Sequence, residues 1–187
     1  MNRDLILDAA ARIIRQKGYH AASMQDIADA VNLQKASLYH HFSSKQEILL
    51  ALLDQALDLL IGRVSGALSQ EIPVDEKLSR AMRVYLESLD EHAALASVLL
   101  LEHRSLEPEY HERHIPRRDR FERLWRDLIQ EGVECGVFHD TDPSMTARAL
   151  LGVMNWTITW YRPDGPASIE QISDHFSGLF LDGLRGS

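Results

Sequence analysis

The 187-residue chain reads as all-α: a three-helix N-terminal head and a larger helical body, about nine helices in all. Three observations carry this. Apolar residues recur at i, i+3, i+4 and i+7 along most of the length. Strict period-two alternation is nowhere sustained. Residues 23–45 place two short helices around a tight turn.

The first helix pairs apolar residues at Leu5/Ile6, Ala9/Ala10 and Ile13/Ile14, one buried face at i, i+4 spacing. Lys17 falls in its last turn and Gly18 just beyond, at the C-cap. Ser23 followed by Asp26 matches the capping box. The helix it opens, about 24–30, turns Met24, Ile27 and Ala28 inward. The chain must then reverse at Asn32, a residue type that tolerates left-handed backbone. Leu33 resumes the core, and Gln34 to His41 form the next helix, with Leu38 inward and Lys35, Ser37, Tyr39 and His40 outside. Phe42 closes that helix into the core. Ser44-Lys45-Gln46-Glu47 then gives a second capping box.

Two short helices so joined make a helix-turn-helix, whose second helix enters the DNA major groove while the first braces it. Small Ala36 and Ser37 let the backbone approach the groove floor. Gln34, Lys35, Tyr39, His40 and His41 have chemistry suited to phosphates or base edges. Ser23 and Lys45, each at a helix N-terminus, are candidate phosphate contacts. A plain helical hairpin with polar exposed residues is the alternative.

The run Leu38-Tyr39-His40-His41-Phe42, the link Ser44-Lys45-Gln46-Glu47-Ile48 and the preceding Gly18 to Ala28 resemble the N-terminal domain of TetR-family transcriptional regulators. The resemblance covers about 50 residues. Asn32 stands where that family usually has Gly, Gln34 where it often has a capping Ser, and Ala36 where it often has Gly. It implies a DNA-binding domain over residues 1–45 and an effector-binding and dimerisation domain over 46–187, working as a homodimer on a palindromic double-stranded operator.

Charge divides in the same way. The net −8 splits into +2 over residues 1–45, from Arg3, Arg12, Arg15, Lys17, Lys35 and Lys45 against Asp4, Asp8, Asp26 and Asp29, and −10 over the rest. A mildly basic head on an acidic body suits a DNA-reading module joined to a domain with other work. The single Cys135 excludes disulfide scaffolds and Cys-rich zinc sites. Without a signal peptide or a stretch of ~18 apolar residues, the expectation is a cytoplasmic protein with no membrane partner.

In the body, the helix opening at Ser44 runs to about Ser69, with Ile48, Leu49, Leu52, Leu53, Ala56, Leu57, Leu60 and Val64 inward. Leu78, Met82, Tyr85, Leu86 and Leu89 mark the next, and Leu95 and Val98–Leu101 a short, very apolar one. Pro108 opens a long polar helix with a bend expected near Pro116. Its second half carries Phe121, Leu124, Trp125, Leu128 and Ile129 at helical spacing. Asp142-Pro143 caps a helix to about Tyr161, residues 162–166 turn, and Ser168 with Gln171 caps the last.

Leu150, Val153, Ile158, Phe176, Leu179 and Phe180, interleaved with Gly152, Ser177, Gly178 and Gly183, exceed one inward face and suit a four-helix seam between two protomers. A buried hairpin within one chain is the alternative, and the two copies that a helix-turn-helix reader needs on DNA favour the seam.

Residues 151–165, Trp-rich before a Pro-Gly turn, also resemble the body of TetR-family members that respond to acyl-CoA thioesters and control fatty-acid or related acid degradation. Such an effector needs an apolar slot and cations. Leu99, Phe121, Trp125, Met154, Trp156 and Trp160 supply the one, and His103, Arg104 and Arg118 supply polar and cationic groups. Plain core packing of the aromatics, and a solvated helix face pairing the Arg run with Glu109, Glu112, Asp119 and Glu122, are the alternatives.

No nucleophile elbow, phosphate loop or Cys with an evident base points to an enzyme, and no cofactor is expected. Two rival readings are a metal-responsive regulator using Glu102, His103, His111 and His114 and a non-DNA helical interaction module.

Overall fold

A computed structural model describes residues 3–185. Among them are nine α-helices, one 3₁₀ turn and no strand: α1 (Arg3–Lys17), α2 (Met24–Ala30), α3 (Lys35–His41), α4 (Lys45–Leu68), α5 (Val74–Glu91), α6 (Ala93–Glu102), the 3₁₀ turn His103–Ser105, α7 (Pro108–Glu134), α8 (Pro143–Trp160) and α9 (Ile169–Leu184). These residues group into two compact units, 3–58 with 92–117, and 59–91 with 118–185.

Local signals set the helix ends of the first unit. Ser23 Oγ accepts from Asp26 N at 3.1 Å, and Ser23 N donates back to Asp26 Oδ2 at 2.8 Å. Lys17 Nζ donates to Asp26 at 2.6 Å, and that bond, with those from Ser23, holds the Asp26 carboxyl well below the usual carboxylate range. Asn32 adopts φ 53°, the one left-handed non-Gly residue among those described, so the turn forms without glycine.

Packing then joins α1 to α2 and α6, and α2 to α3. The buried face of α1 is Ile6, Leu7, Ala10, Ala11 and Ile14 with Ala9, whereas Leu5 is 54% exposed. A four-residue repeat drifts about 40° around the helix per step, which carries Leu5 off the face that Ile14 anchors.

The second capping box is displaced. Ser44 Oγ accepts from Glu47 N at 3.1 Å, as expected of a cap, but the Glu47 carboxylate accepts from Ser43 N at 2.7 Å and Ser43 Oγ at 2.8 Å.

In the second unit α5 packs on α9 and α8. Leu78, Met82, Tyr85, Leu86 and Leu89 are buried, as are Ser173 and Ser177 of α9, small residues that let a helix lie close to its neighbour. After α7 the chain folds back so that the Phe138 ring packs on Gly132. A Cβ at Gly132 would sit 2.0 Å from Phe138 Cδ2, so only glycine fits. Asp142 caps α8 by accepting from Ser144 N and Met145 N, with Pro143 at the first helical position, and Ser168 and Gln171 box the start of α9. No helix among the described residues is long and apolar enough to cross a membrane.

Candidate functional site

Helix α3 is seven residues long with a single buried side chain, Leu38, so most of what it carries reaches solvent. Gln34, Lys35, Ala36, Tyr39 and His40 are exposed, and Ser37 and His41 half-buried. Gln34 caps the helix with extended backbone and makes no side-chain bond to it, which leaves its amide uncommitted. Lys35 has no ion-pair partner among the described residues. The α3 face is therefore small and polar, carries a cation that no described side chain pairs, and hangs from one leucine.

Lys45 departs from its expected role. Its ammonium donates to the carbonyls of Ala22 at 2.8 Å, Tyr19 at 3.0 Å and His20 at 3.4 Å, and lies 4.5 Å from the centroid of the Tyr19 ring. Three donors on three carbonyls exhaust the group, so Lys45 braces the link between α1 and α2 and is not free for a phosphate. Ser23 is likewise engaged in its cap, although its side chain remains exposed.

Sequence spacing gives no sign of the contacts that tie residues 102–110 into the first unit. Gln46 Nε2 donates to Ser105 O at 2.9 Å while its Oε1 accepts from Glu107 N at 3.1 Å. Glu102 accepts from Tyr19 N at 3.3 Å, and the hydroxyls of Ser44 and Tyr110 pair at 3.3 Å. The partners lie some 60 to 80 positions apart, beyond the reach of any helical periodicity.

The expected effector set is divided between the units. Leu99 is buried, His103 half-buried and Arg104 exposed in the first. In the second, Phe121 and Trp125 are buried and form an aromatic trio with Tyr85. The Tyr85 and Phe121 rings stack at 5.7 Å, and Trp125 stands edge-on to Tyr85 at 5.8 Å and to Phe121 at 6.2 Å. Met154 is buried in the same unit. Tyr85, in sequence only a marker of helical spacing, is thus part of this interior. Its hydroxyl donates to Asn155 Oδ1, and burial pushes its pKa upward.

Trp156 and Trp160 are not interior groups: they are 66% and 45% exposed. With Met145, Ala149, Gly152 and Val153, also exposed, they form a continuous stripe along α8. Of the residues expected at a protomer seam, Val153 and Leu179 are exposed, and Ile158, Phe176 and Phe180 half-buried. Leu150 is fully buried within the chain and belongs to the core.

Of the arginines on α7, Arg117, Arg118 and Arg126 form ion pairs, whereas Arg113, Arg120 and Arg123 form none among the described residues. Arg117 reaches Asp54 and Asp58, and Arg118 lies 3.7 Å from Asp119. The suggested metal ligands do not converge: His114 Nδ1 pairs with Asp54 at 2.9 Å and Glu102 with Tyr19 N. Among the described residues no group of three or more His, Cys, Asp or Glu is placed to hold a metal ion.

A compact helix-turn-helix head with an all-helical body defines a DNA-binding regulator. The N-terminal domain of bacterial regulatory proteins of the tetR family matches residues 6–52, and a tetracyclin repressor-like C-terminal domain matches residues 71–184. The chain is 30% identical to the HTH-type transcriptional repressor KstR2 of Mycolicibacterium smegmatis, over 99% of this chain and 91% of that protein. It is similar to the crystal structure of the TetR-family regulator PfmR from Thermus thermophilus, with a TM-score of 0.88 and 39% identity, covering 95% and 97% of the two chains. AibR, solved in complex with isovaleryl coenzyme A and operator DNA, superposes with a TM-score of 0.88 at 29% identity over 95% and 96%. The chain belongs to the TetR family of transcriptional regulators. These relatives are regulators of transcription, not enzymes.

Proposed function

We propose that this protein is a repressor that binds a palindromic operator as a homodimer through α3 and is released by an acyl-CoA thioester held in the helical body. The observation that carries the DNA half is the α3 face, from which Lys35, Tyr39 and His40 project unpaired by other described side chains, chemistry that suits phosphates and base edges. The effector half is supported by similarity to AibR, whose complex contains both isovaleryl coenzyme A and operator DNA. The buried aromatic trio adds an apolar interior against which an acyl chain can pack.

The dimer is supported by the α8 stripe. Four large apolar side chains, Met145, Val153, Trp156 and Trp160, face solvent on one helix, and Leu179 of α9 is exposed as well. A contiguous apolar face of this kind marks an interface, and a second copy presenting the same stripe fills it isologously. On this reading Trp156 and Trp160 contact the partner protomer, and Lys45 leaves the list of DNA phosphate contacts.

Calorimetric titration with acyl-CoAs of increasing chain length tests the effector assignment. Saturable heat with at least one length, and dissociation of operator DNA at the same concentrations, is the expected result. No heat with any length would end the thioester reading while leaving the family assignment in place.

A further inference from the structure

Within the thioester reading, we infer that the indole N–H of Trp125 donates a hydrogen bond to the effector and that the group it recognises is a neutral carbonyl oxygen. Trp125 is fully buried on α7, and its Nε1 has no hydrogen-bond partner among the described residues. Gln55 Oε1 and Ser173 Oγ share that condition. Only the indole can do nothing but donate, from a ring that cannot rotate the proton elsewhere. A phenyl ring would fill most of the same space without stranding a donor, so the N–H calls for an acceptor.

The surroundings narrow what the acceptor is. Its ring neighbours are Tyr85 and Phe121, and the Tyr85 hydroxyl is committed to Asn155 Oδ1. A ring face can accept an N–H weakly, and both neighbouring ring planes stand nearly perpendicular to the indole. Such a contact would be indifferent to whether a ligand carries a carbonyl. An ionised carboxylate stripped of water with one neutral donor to face it is strongly disfavoured. A thioester carbonyl is uncharged, accepts one bond readily and carries an apolar chain suited to the same rings. Trp125 would thus distinguish the activated acyl group from the free acid and from a plain alkyl chain.

The test compares octanoyl-CoA with octyl-CoA, the thioether in which a methylene replaces the carbonyl, on the full-length protein by calorimetry. The expected result is thioester binding tighter than thioether binding by about tenfold, with that preference falling to equality in Trp125→Phe. The three tryptophans give three indole N–H resonances after ¹⁵N labelling of the wild type. The slowest-exchanging of them should move downfield with the thioester and stay in place with the thioether. This readout decides the matter alone if Trp125→Phe fails to fold. Equal affinities with an unmoved indole, or a preference that survives Trp125→Phe, would overturn the inference while leaving the thioester reading intact. Binding of neither compound would overturn that reading and the Trp125 assignment with it.

Discussion

Helices α3 and α8 both turn much of their surface to solvent, and they do so with opposite chemistry. The exposed residues of α3 are polar or small: Lys35, Ala36, Tyr39 and His40. Those of α8 include Met145, Val153, Trp156 and Trp160. A hydrated, donor-rich face gives up little when it exchanges water for phosphates. An apolar face gains roughly 25 cal/mol for each Å² removed from water and is costly to leave open. In the proposed reading the two faces meet different partners, a polyanion for α3 and a second protein surface for α8. It also explains their lengths. Seven residues held by one leucine suffice to present side chains to a groove, whereas a seam needs the longer span that α8 provides.

The largest effect should come from removing the anchor of α3. Leu38→Ala empties a fully buried site and should cost about 2–5 kcal/mol, read by chemical denaturation. A loss under about 1 kcal/mol would mean that α3 is held by something other than Leu38. Next, Trp156→Glu places a charge in the apolar stripe and should weaken self-association about a hundredfold or more. Sedimentation should show monomers with undiminished helicity, and a protein that remains dimeric would remove α8 from the seam.

The two lysines of the head sharpen the comparison further. Lys35→Ala should weaken operator binding about tenfold and lower the salt slope by about one, with stability unchanged. Lys45→Met should do the reverse, costing about 1–3 kcal/mol of stability through three abandoned carbonyls and leaving the salt slope as it was. Matching salt slopes for the two variants would contradict the distinction drawn between them.

The smallest effect concerns His139, at the α7–α8 link. Its Nδ1 lies 2.8 Å from Asp140 O and its Nε2 2.8 Å from Gly183 O. Both neighbours only accept, so both are satisfied together by the doubly protonated ring. These carbonyls, Asp140 first, raise its pKa above the ordinary value. Because the folded value is the higher one, the contribution is complete below about pH 6.5 and is lost as pH rises through the elevated value. A His139→Gln variant should flatten that part of the stability–pH curve, and an unchanged curve would dissociate it from His139.

The elements fixed by near neighbours were legible in the sequence. The Ser23–Asp26, Asp142 and Ser168–Gln171 caps and the left-handed Asn32 all involve residues within three positions of one another, where residue type and spacing carry the information. The inward faces of α4 and α5 were legible for the same reason. What failed depended on tertiary context. Leu5 satisfies the local repeat but not the curvature of the face around α1. Lys45 has the position of a phosphate ligand, but three carbonyls from another turn claim it. Trp156 reads as a cavity wall because a Trp-rich helix does not reveal which side faces inward, and Leu150 reads as seam for the same reason. Gln46 carries no signal, since its partners are about 60 residues away.

The most direct test titrates a fluorescently labelled fragment from upstream of the protein's own gene, following anisotropy with calibrated protein concentration. Saturation at two protomers per site, lost in Lys35→Ala with Tyr39→Ala and reversed by an acyl-CoA, is the result expected of an α3 reader paired through α8. Saturation at one protomer per site, or binding indifferent to both α3 substitutions, would contradict it.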